Sequence, residues 1–207
     1  AAEKLGATEQ AGEIAGIART GNRARGVILA DGTVVEGGSV VLAMGPWTYY
    51  AGTWLGFPIP VEPLRGQLIK LAPPGPMPEY AIFRPGYCVI PKPAGYLIAG
   101  TTEEYAGFVR EVTPEGQRHI MDGVVQMAPA LEKAQILETR ACLRPLSGDD
   151  VPIIGRVPGW DNVYIATGHG RKGVLLSTAT AKYLAQIIAT GRSEYDLSPF
   201  SPERFLP

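Results

Sequence analysis

The sequence predicts a fold of mixed α/β and α+β class. Two short, almost wholly apolar runs at residues 39–45 and 162–166 are each followed by a segment suited to a helix, which is typical of parallel strands in an α/β sheet. Residues 57–140 alternate apolar and polar positions over several short segments, which favours an antiparallel sheet. The 26 glycines and 19 prolines mark frequent turns and argue against a helical bundle.

The N-terminal part of the chain predicts a three-stranded meander, then a buried strand and a short helix. Gly21-Asn22 and Asp31-Gly32 separate alternating apolar runs, and such dipeptides are typical of hairpin turns. The next apolar run suits a parallel strand that is buried on both faces. The predicted elements are the end of a helix at 1–7, strands at 13–19, 24–29, 33–36 and 39–45, and a helix at 46–55.

The middle of the chain predicts a sheet with one helix. Thr113 is a suitable N-cap, Pro114 suits the first turn, and Ile120 and Val124 share one face. The predicted strands are 60–71, 80–83, 87–90, 96–100 and 137–143, and the helix is 113–127.

The C-terminal part predicts a buried strand at 162–166, a glycine-rich turn and a long helix. This helix begins at Arg171 and ends near Thr190, with Gly191 as its C-cap. Its apolar face is predicted to hold Val174, Leu175, Thr178, Ala181, Leu184, Ala185 and Ile188.

Composition excludes several classes of protein. The 207 residues are 45% hydrophobic and 19% charged, with a net charge of −1, so nothing indicates a nucleic-acid or membrane-surface partner. No apolar run reaches the roughly 20 residues that a membrane span needs. Cys88 and Cys142 make neither a disulfide framework nor a metal cluster, so we expect no metal and a reducing, cytoplasmic setting.

Residues 1–7 lack a helix start, and we therefore expect the chain to be a piece of a longer protein.

Two arginines are the strongest candidates for function. Arg144 lies between apolar stretches, where a charge needs a partner: either an ion pair with Asp149 or Asp150, or the carboxylate of a substrate. Arg171 precedes a helix whose dipole disfavours a cation there, so it is either simply exposed or beside an anionic group.

The other polar candidates have structural alternatives. His169 lies in a turn, where a structural role competes with that of a base, and Glu103-Glu104 could be a site carboxylate pair or merely solvated. No serine, histidine and carboxylate set has nucleophile spacing, which argues against hydrolysis.

Five segments of the sequence form a recognisable series. They are Val40-Val-Leu-Ala-Met-Gly-Pro-Trp47, Pro63-Leu-Arg-Gly-Gln67, Ile90-Pro-Lys with Ala99-Gly-Thr-Thr-Glu-Glu104, Leu143-Arg-Pro-Leu with Val151-Pro-Ile-Ile-Gly155, and Gly168-His-Gly-Arg-Lys-Gly173. In these segments the chain resembles the FAD-dependent D-amino-acid oxidase superfamily, most closely its glycine oxidase and sarcosine oxidase-like branch. The segments run in the family's order and cover nearly the whole chain.

The resemblance implies a domain organisation. Residues 1–56 and 141–207 would be the middle and C-terminal parts of an FAD-binding, glutathione-reductase-like domain. Residues 57–140 would be an antiparallel-sheet substrate-binding domain with one helix. The family opens with a strand, a Gly-x-Gly-x-x-Gly turn and a helix that hold the FAD pyrophosphate. No such segment precedes the meander here, so the missing N-terminal FAD-binding segment is an expected partner, and the chain alone should bind FAD poorly.

The resemblance also implies site residues. Arg144 and Arg171 would be catalytic and, with Cys88, would bind the substrate. Cys88 stands where glycine oxidases usually carry a tyrosine, and Tyr87 would face the other way on a two-residue period. The implied cofactor-binding residues are Ile14, Gly45, His169, Gly170, Arg171, Lys172, Gly173, Val174 and Leu175.

The implied reaction is oxidation of a small amino acid or secondary amine, similar to glycine, a D-amino acid or sarcosine. A hydride passes to flavin N5, and the resulting imine is hydrolysed to an oxo acid. A dehydrogenase with a quinone or carrier acceptor, and a non-catalytic fragment or structural module, remain alternatives. Homo-oligomerisation is left open.

Overall fold

The computed structural model describes residues 1–206, and Pro207, the end of the predicted third segment, lies outside them. The chain divides into two compact units. We call Ala1–Val61 with Ser147–Pro207 the α/β unit, and Glu62–Leu146 the sheet unit. Both boundaries between the units lie a few residues beyond the expected 56/57 and 140/141. The expected 140/141 boundary falls inside one long continuous strand, Gln135–Ser147.

The strands, in chain order, are β1 (Ile14–Thr20), β2 (Arg23–Leu29), β3 (Val34–Glu36), β4 (Val40–Leu42), β5 (Val61–Ala72), β6 (Ile82–Arg84), β7 (Tyr87–Lys92), β8 (Tyr96–Gly100), β9 (Gln135–Ser147), β10 (Ile153–Arg156) and β11 (Val163–Thr167). The α-helices are α1 (Gly52–Leu55), α2 (Pro114–Met127) and α3 (Gly173–Thr190). Short 3-10 helices cover Ala2–Leu5, Gly45–Ala51, Pro129–Lys133, Gly170–Lys172, Ser198–Phe200 and Pro202–Phe205.

The α/β unit contains two three-stranded sheets. The first has the order β1-β2-β3 and is antiparallel throughout, which confirms the predicted meander. The second has the order β10-β11-β4, with β4 parallel and β10 antiparallel to β11. The predicted helix after β4 is a 3-10 helix that passes into the single turn of α1.

The prediction that β4 is buried on both faces is wrong. Val40 and Leu42 are buried, but Val41 between them is 44% exposed. Among the described residues β4 is the last strand of its sheet, so its outer edge is unpaired there, and the face that carries Val41 is largely uncovered. The β4 strand therefore carries more apolar side chains than this chain alone buries.

Helix α3 buries only part of the face predicted for it: Leu184 and Ile188 are packed as predicted, and the other predicted positions are exposed. Its Gly191 C-cap is confirmed, with φ of 75° in the left-handed region. Its packed side is Leu184 with Tyr183, Ile187 and Ile188, which contact Ile154, Tyr164 and Leu197. The predicted apolar positions on the other side are exposed, with Val174 at 93% and Leu175 at 79%. One side of α3 is buried because β10 and the C-terminal segment pack against it.

The sheet unit is one five-stranded sheet with α2 on one face. The strand order is β6-β7-β8-β5-β9. Its core consists of alternate strand residues and the apolar face of α2: Ile69, Leu71, Val89, Leu97, Ala99, Ile120, Val124 and Leu131. The predicted N-cap of α2 is confirmed, because Thr113 Oγ1 accepts a hydrogen bond from the Gly116 amide.

The side chain of Gln67 joins the sheet to the start of α2. It is fully buried, and its amide nitrogen donates to Glu104 Oε1 at 2.8 Å and to Thr113 Oγ1 at 3.0 Å. Its carbonyl oxygen accepts from the Thr113 amide at 2.9 Å. A buried polar group is costly unless it is bonded, so this residue fixes the position of α2 against β5.

Glu104 is the charged centre of the same cluster. Its carboxylate forms an ion pair with the buried Arg65, whose Nε donates at 3.1 Å. Burial alone raises the pKa of Glu104, but hydrogen bonds from Thr102, Arg65 and Gln67 outweigh it and hold that pKa below its ordinary value. The solvated alternative for Glu104 is therefore wrong, because Arg65 and Gln67 come together only in the folded sheet.

None of the helices within residues 1–206 combines the length and the apolar character that crossing a bilayer would require.

Replacing Gln67 with leucine should destabilise the sheet unit by about 2 kcal/mol, because Glu104 and the Thr113 amide would each lose a buried partner. The free energy of unfolding from urea titration measures this. Gln10→Ala, at an exposed position, is the control and should change it by less than about 0.5 kcal/mol. Equal effects of the two substitutions would contradict the role of Gln67.

Glu104→Gln should lower the free energy of unfolding at neutral pH, because Arg65 loses its counter-charge. A carboxylate with a lowered pKa stabilises the fold above its unfolded pKa of about 4.3, and that stabilisation is lost as the pH falls through the folded pKa. The difference between parent and variant should therefore shrink below about pH 4. Unfolding titrations at several pH values test this, with exposed Glu132→Gln as the control. A difference that does not vary with pH would refute it.

Candidate active site

Arg144 lies in β9 of the sheet unit, and two threonines hold its guanidinium. One terminal nitrogen donates to the Thr102 carbonyl at 3.1 Å, and the other donates to Thr101 Oγ1 at 2.7 Å. The guanidinium lies over the α-carbon of Gly66 in β5, where a Cβ atom would overlap it. The side chain is thus fixed in one orientation by its neighbours.

Cys88 and Arg144 occupy the same face of this sheet. Cys88 pairs with Gly100, and Gly100 pairs with Leu68, so these residues point to one side. Their sequence neighbours Val89, Ala99 and Ile69 lie in the core under α2. Because strand side chains alternate, Cys88 lies on the face opposite α2, as does Gly66 with the guanidinium above it. We call this the Arg144 face.

Cys88 is a half-buried thiol among small and apolar neighbours. Burial raises the pKa of the Cys88 thiol, so it remains protonated near neutral pH. On the Arg144 face, Leu68, Ile90 and Ile98 are also half-buried. Cys88 lies across β8 from β5, two strand spacings away, so its distance from the guanidinium is on the order of 10 Å. That separation suits a small molecule.

Tyr87 faces the other way, as predicted. Its ring lies so close to Gly123 of α2 that a Cβ atom there would overlap it. Its hydroxyl is 3.4 Å from His119 Nδ1. Tyr87 therefore packs against α2 and does not reach the Arg144 face.

In the α/β unit, Gly45 and the 168–175 segment meet at the carboxyl ends of the parallel strands β4 and β11. The buried Thr167 links them, since its Oγ1 donates to the Gly45 carbonyl at 2.9 Å. Thr48 donates to the same carbonyl at 2.7 Å. Ligands of α/β sheets commonly bind at this edge. We call it the Gly45 edge.

Glycines let the backbone come close at the Gly45 edge. Gly45, Gly168 and Gly170 have φ values of 57°, 74° and 52°, in the left-handed region that favours glycine. Gly168, Gly170 and Gly173 also have Gly-x-Gly-x-x-Gly spacing between a strand and a helix, a pattern suited to close approach of a cofactor. The sequence alone indicated a glycine-rich turn before the helix, but its Gly-x-Gly-x-x-Gly spacing was missed.

His169 has a structural partner. Its Nε2 lies 3.0 Å from Thr180 Oγ1 on α3, and burial lowers the pKa of the imidazole, so it is neutral at pH 7. The side chain ties the turn to the helix, which favours the structural alternative over that of a base. Its backbone remains available at the Gly45 edge.

The remaining predicted cofactor residues are more exposed. Arg171 and Lys172 lie in the 3-10 turn before α3 and are exposed, and Val174 and Leu175 follow in its first turn. Ile14 begins β1 and pairs with Leu29, so it belongs to the meander and not to the sheet of β4, after which Gly45 follows.

Asp149, one expected ion-pair partner of Arg144, is bound to another arginine. Its carboxylate accepts from Arg204 Nε at 2.7 Å and from a terminal nitrogen of Arg204 at 3.0 Å. The Arg204 hydrogen bond lowers the pKa of Asp149. This pair joins the C-terminal segment to the start of the last part of the α/β unit.

Comparison with known proteins gives a consistent result. A family model described as FAD dependent oxidoreductase, DAO, matches residues 1–187. The chain is 32% identical over 190 residues to a glycine oxidase of Pseudomonas aeruginosa, which covers 92% of this chain and 52% of the relative. The chain spans about half the length of the curated relatives it matches.

Several solved structures share the fold at more than 25% sequence identity, and two of them are oxidases of small carboxylated amines by name. An iminodiacetate oxidase from Chelativorans sp. BNC1 has a TM-score of 0.91 and 27% identity, covering 97% of this chain and 55% of that one. A glycine oxidase from Geobacillus kaustophilus has a TM-score of 0.85 and 27% identity, covering 94% and 52%. These matches confirm the predicted fold class, the oxidoreductase class and FAD as the cofactor of the family. The chain belongs to the FAD-dependent oxidoreductase family DAO.

Proposed function

We propose that this chain is part of an FAD-dependent enzyme that oxidises a small amino acid or secondary amine bearing a carboxylate. The observation that carries the proposal is the Arg144 guanidinium, fixed over Gly66 on the Arg144 face by Thr101 and Thr102. Relatives named as glycine oxidase and iminodiacetate oxidase act on carboxylated amines, which supports this substrate class.

Arg144 binds the substrate's carboxylate in this proposal. A planar guanidinium matches a carboxylate with two parallel hydrogen bonds and fixes its orientation as well as its position. Cys88 and the half-buried Leu68, Ile90 and Ile98 then border the nonpolar part of the substrate. The protonated Cys88 thiol adds no charge to this region.

The Gly45 edge fits the isoalloxazine end of FAD. The Gly45, Gly168 and Gly170 backbone can approach a flat ring closely, and the N-terminus of the 18-residue helix α3 favours negative charge beside it. Arg171, in the preceding turn, adds a positive charge. When bound, FAD supplies the two-electron acceptor for the reaction.

The chemistry then requires orientation more than acid–base catalysis. The neutral amine would lose a hydride from its α-carbon and a proton from its nitrogen to water, and hydrolysis of the imine would release ammonia or a primary amine together with the oxo acid. Arg144 aligns the α-carbon through the carboxylate. Such positioning lowers the activation barrier, because the substrate has already lost its orientational freedom on binding. The neutral, Thr180-bound His169 takes no proton in this scheme.

We also propose that a further segment of the enzyme, the FAD-binding segment of the family, covers α3 and β4. Val174 and Leu175 are exposed, and β4 ends its sheet with an exposed Val41. Apolar surfaces of this kind favour a covering partner. The free state of Cys88 and Cys142 supports a reducing, cytoplasmic compartment.

Arg144→Ala in the full-length enzyme should raise the Michaelis constant for a carboxylated amine about 100-fold, because a charged, bidentate interaction worth about 3 kcal/mol is lost. Steady-state kinetics and bleaching of the visible flavin spectrum by substrate measure this. Arg140→Ala is the matched control, since Arg140 lies in the same strand but is exposed and paired with Glu138. Equal Michaelis constants for the parent and the Arg144 variant would overturn the proposal.

Ala181→Arg tests the covering segment. Ala181 is exposed on α3, so in this chain alone the change should alter the free energy of unfolding by less than about 0.5 kcal/mol. In the full-length enzyme a charge buried under a partner should strongly reduce flavin content or folded yield. A full-length variant with the parent's flavin content and stability would contradict burial of this face.

A further inference from the structure

Gly66 provides space that the Arg144 side chain occupies. A Cβ atom on Gly66 would overlap both terminal nitrogens and the central carbon of the guanidinium. Gly66 is buried and does not have a positive φ, so backbone strain does not explain the glycine. The glycine is explained by the space that a flat guanidinium needs against β5.

Thr101 sets the rotation of the guanidinium within that space. The Thr101 hydroxyl donates to the Gln67 carbonyl at 3.1 Å or to the Thr102 carbonyl at 3.3 Å, and it accepts from Arg144 at 2.7 Å. A hydroxyl has one donor and two acceptor sites, so donation to either carbonyl leaves its lone pairs to accept from Arg144. The Thr102 carbonyl accepts from the other terminal nitrogen at 3.1 Å.

These bonds constrain both ends of the guanidinium. One N–H donor on each terminal nitrogen serves a threonine. Both terminal nitrogens are held, so the plane of the group cannot rotate without breaking a bond. The direction from which a carboxylate can approach is therefore fixed by Gly66 and Thr101.

We propose that Gly66 and Thr101 are positioning residues that set the carboxylate specificity of Arg144. This inference rests on the proposed role of Arg144 as the substrate's carboxylate partner. Gly66 acts through shape, because any side chain there displaces the guanidinium. Thr101 acts through its hydroxyl, which is the acceptor that fixes the angle of the group.

Gly66→Ala in the full-length enzyme should weaken binding of acetate, a probe with a carboxylate and no amine, by roughly tenfold or more. Titration of acetate against the visible flavin spectrum gives its dissociation constant. A merely structural defect would lower flavin content without changing that constant. Gly16→Ala is the matched control, because Gly16 is also a buried strand glycine but its added Cβ meets only Ile28 Cδ1, at 3.8 Å.

Thr101→Val and Thr101→Ser provide a second test that does not depend on the fold tolerating Gly66→Ala. Valine keeps the shape but removes the acceptor, and we expect acetate binding to weaken roughly fivefold to tenfold. Serine keeps the hydroxyl and should restore binding to within about twofold of the parent. The Michaelis constant for the carboxylated amine should follow the same order.

The outcomes separate this inference from the proposed function. If Arg144→Ala weakens acetate binding but Gly66→Ala and Thr101→Val do not, the positioning role is wrong and the role of Arg144 stands. If Arg144→Ala itself leaves acetate binding unchanged, the proposed function fails first. Weak binding in Thr101→Val that serine does not restore would also overturn the positioning role.

Discussion

The 101–104 segment, held against β5, is the constraint on which the candidate substrate site depends. Arg65 and Glu104 exchange backbone hydrogen bonds at 2.9 Å and also pair through their side chains, while the buried Gln67 bonds Glu104 from the same strand. These interactions fix the segment on which Thr101 and Thr102 lie. Since both threonines hold Arg144, a partly buried ion pair on the α2 face helps to fix the orientation of a cation on the other face. Alternation along β5 makes this possible, because Arg65 and Gln67 point one way and Gly66 the other.

In the α/β unit, side-chain hydrogen bonds likewise fix the backbone at the Gly45 edge. The Thr167 hydroxyl bridges the ends of two parallel strands through the Gly45 carbonyl, so the two glycine-marked turns keep a fixed spacing. His169 bonds Thr180 and anchors the second turn to α3. The backbone at this edge is therefore organised by side chains that do not themselves take part in the proposed chemistry.

Local sequence patterns predicted most of the helices and strands, whereas contacts between residues distant in sequence determined which of their faces are buried. The meander, the Thr113 cap and the Gly191 cap follow from residues close in sequence, and each is confirmed. The buried faces of β4 and α3 were predicted only in part, because apolar spacing indicates which residues can be buried but not which neighbours cover them. The ion pair of Glu104 was missed because Arg65 is distant in sequence and close only in the sheet. The roles of the site residues stay predictions.

The sequence by itself determined the class of fold, the family and the candidate arginines, because glycine and proline placement, strand periodicity and short motifs are local properties of a chain. Only the tertiary structure decided how Arg144 is held, since Gly66, Thr101 and Thr102 belong to segments far from β9 along the chain. It also decided that Cys88 shares a face with Arg144 while Tyr87 does not, because strand register sets which residues become neighbours.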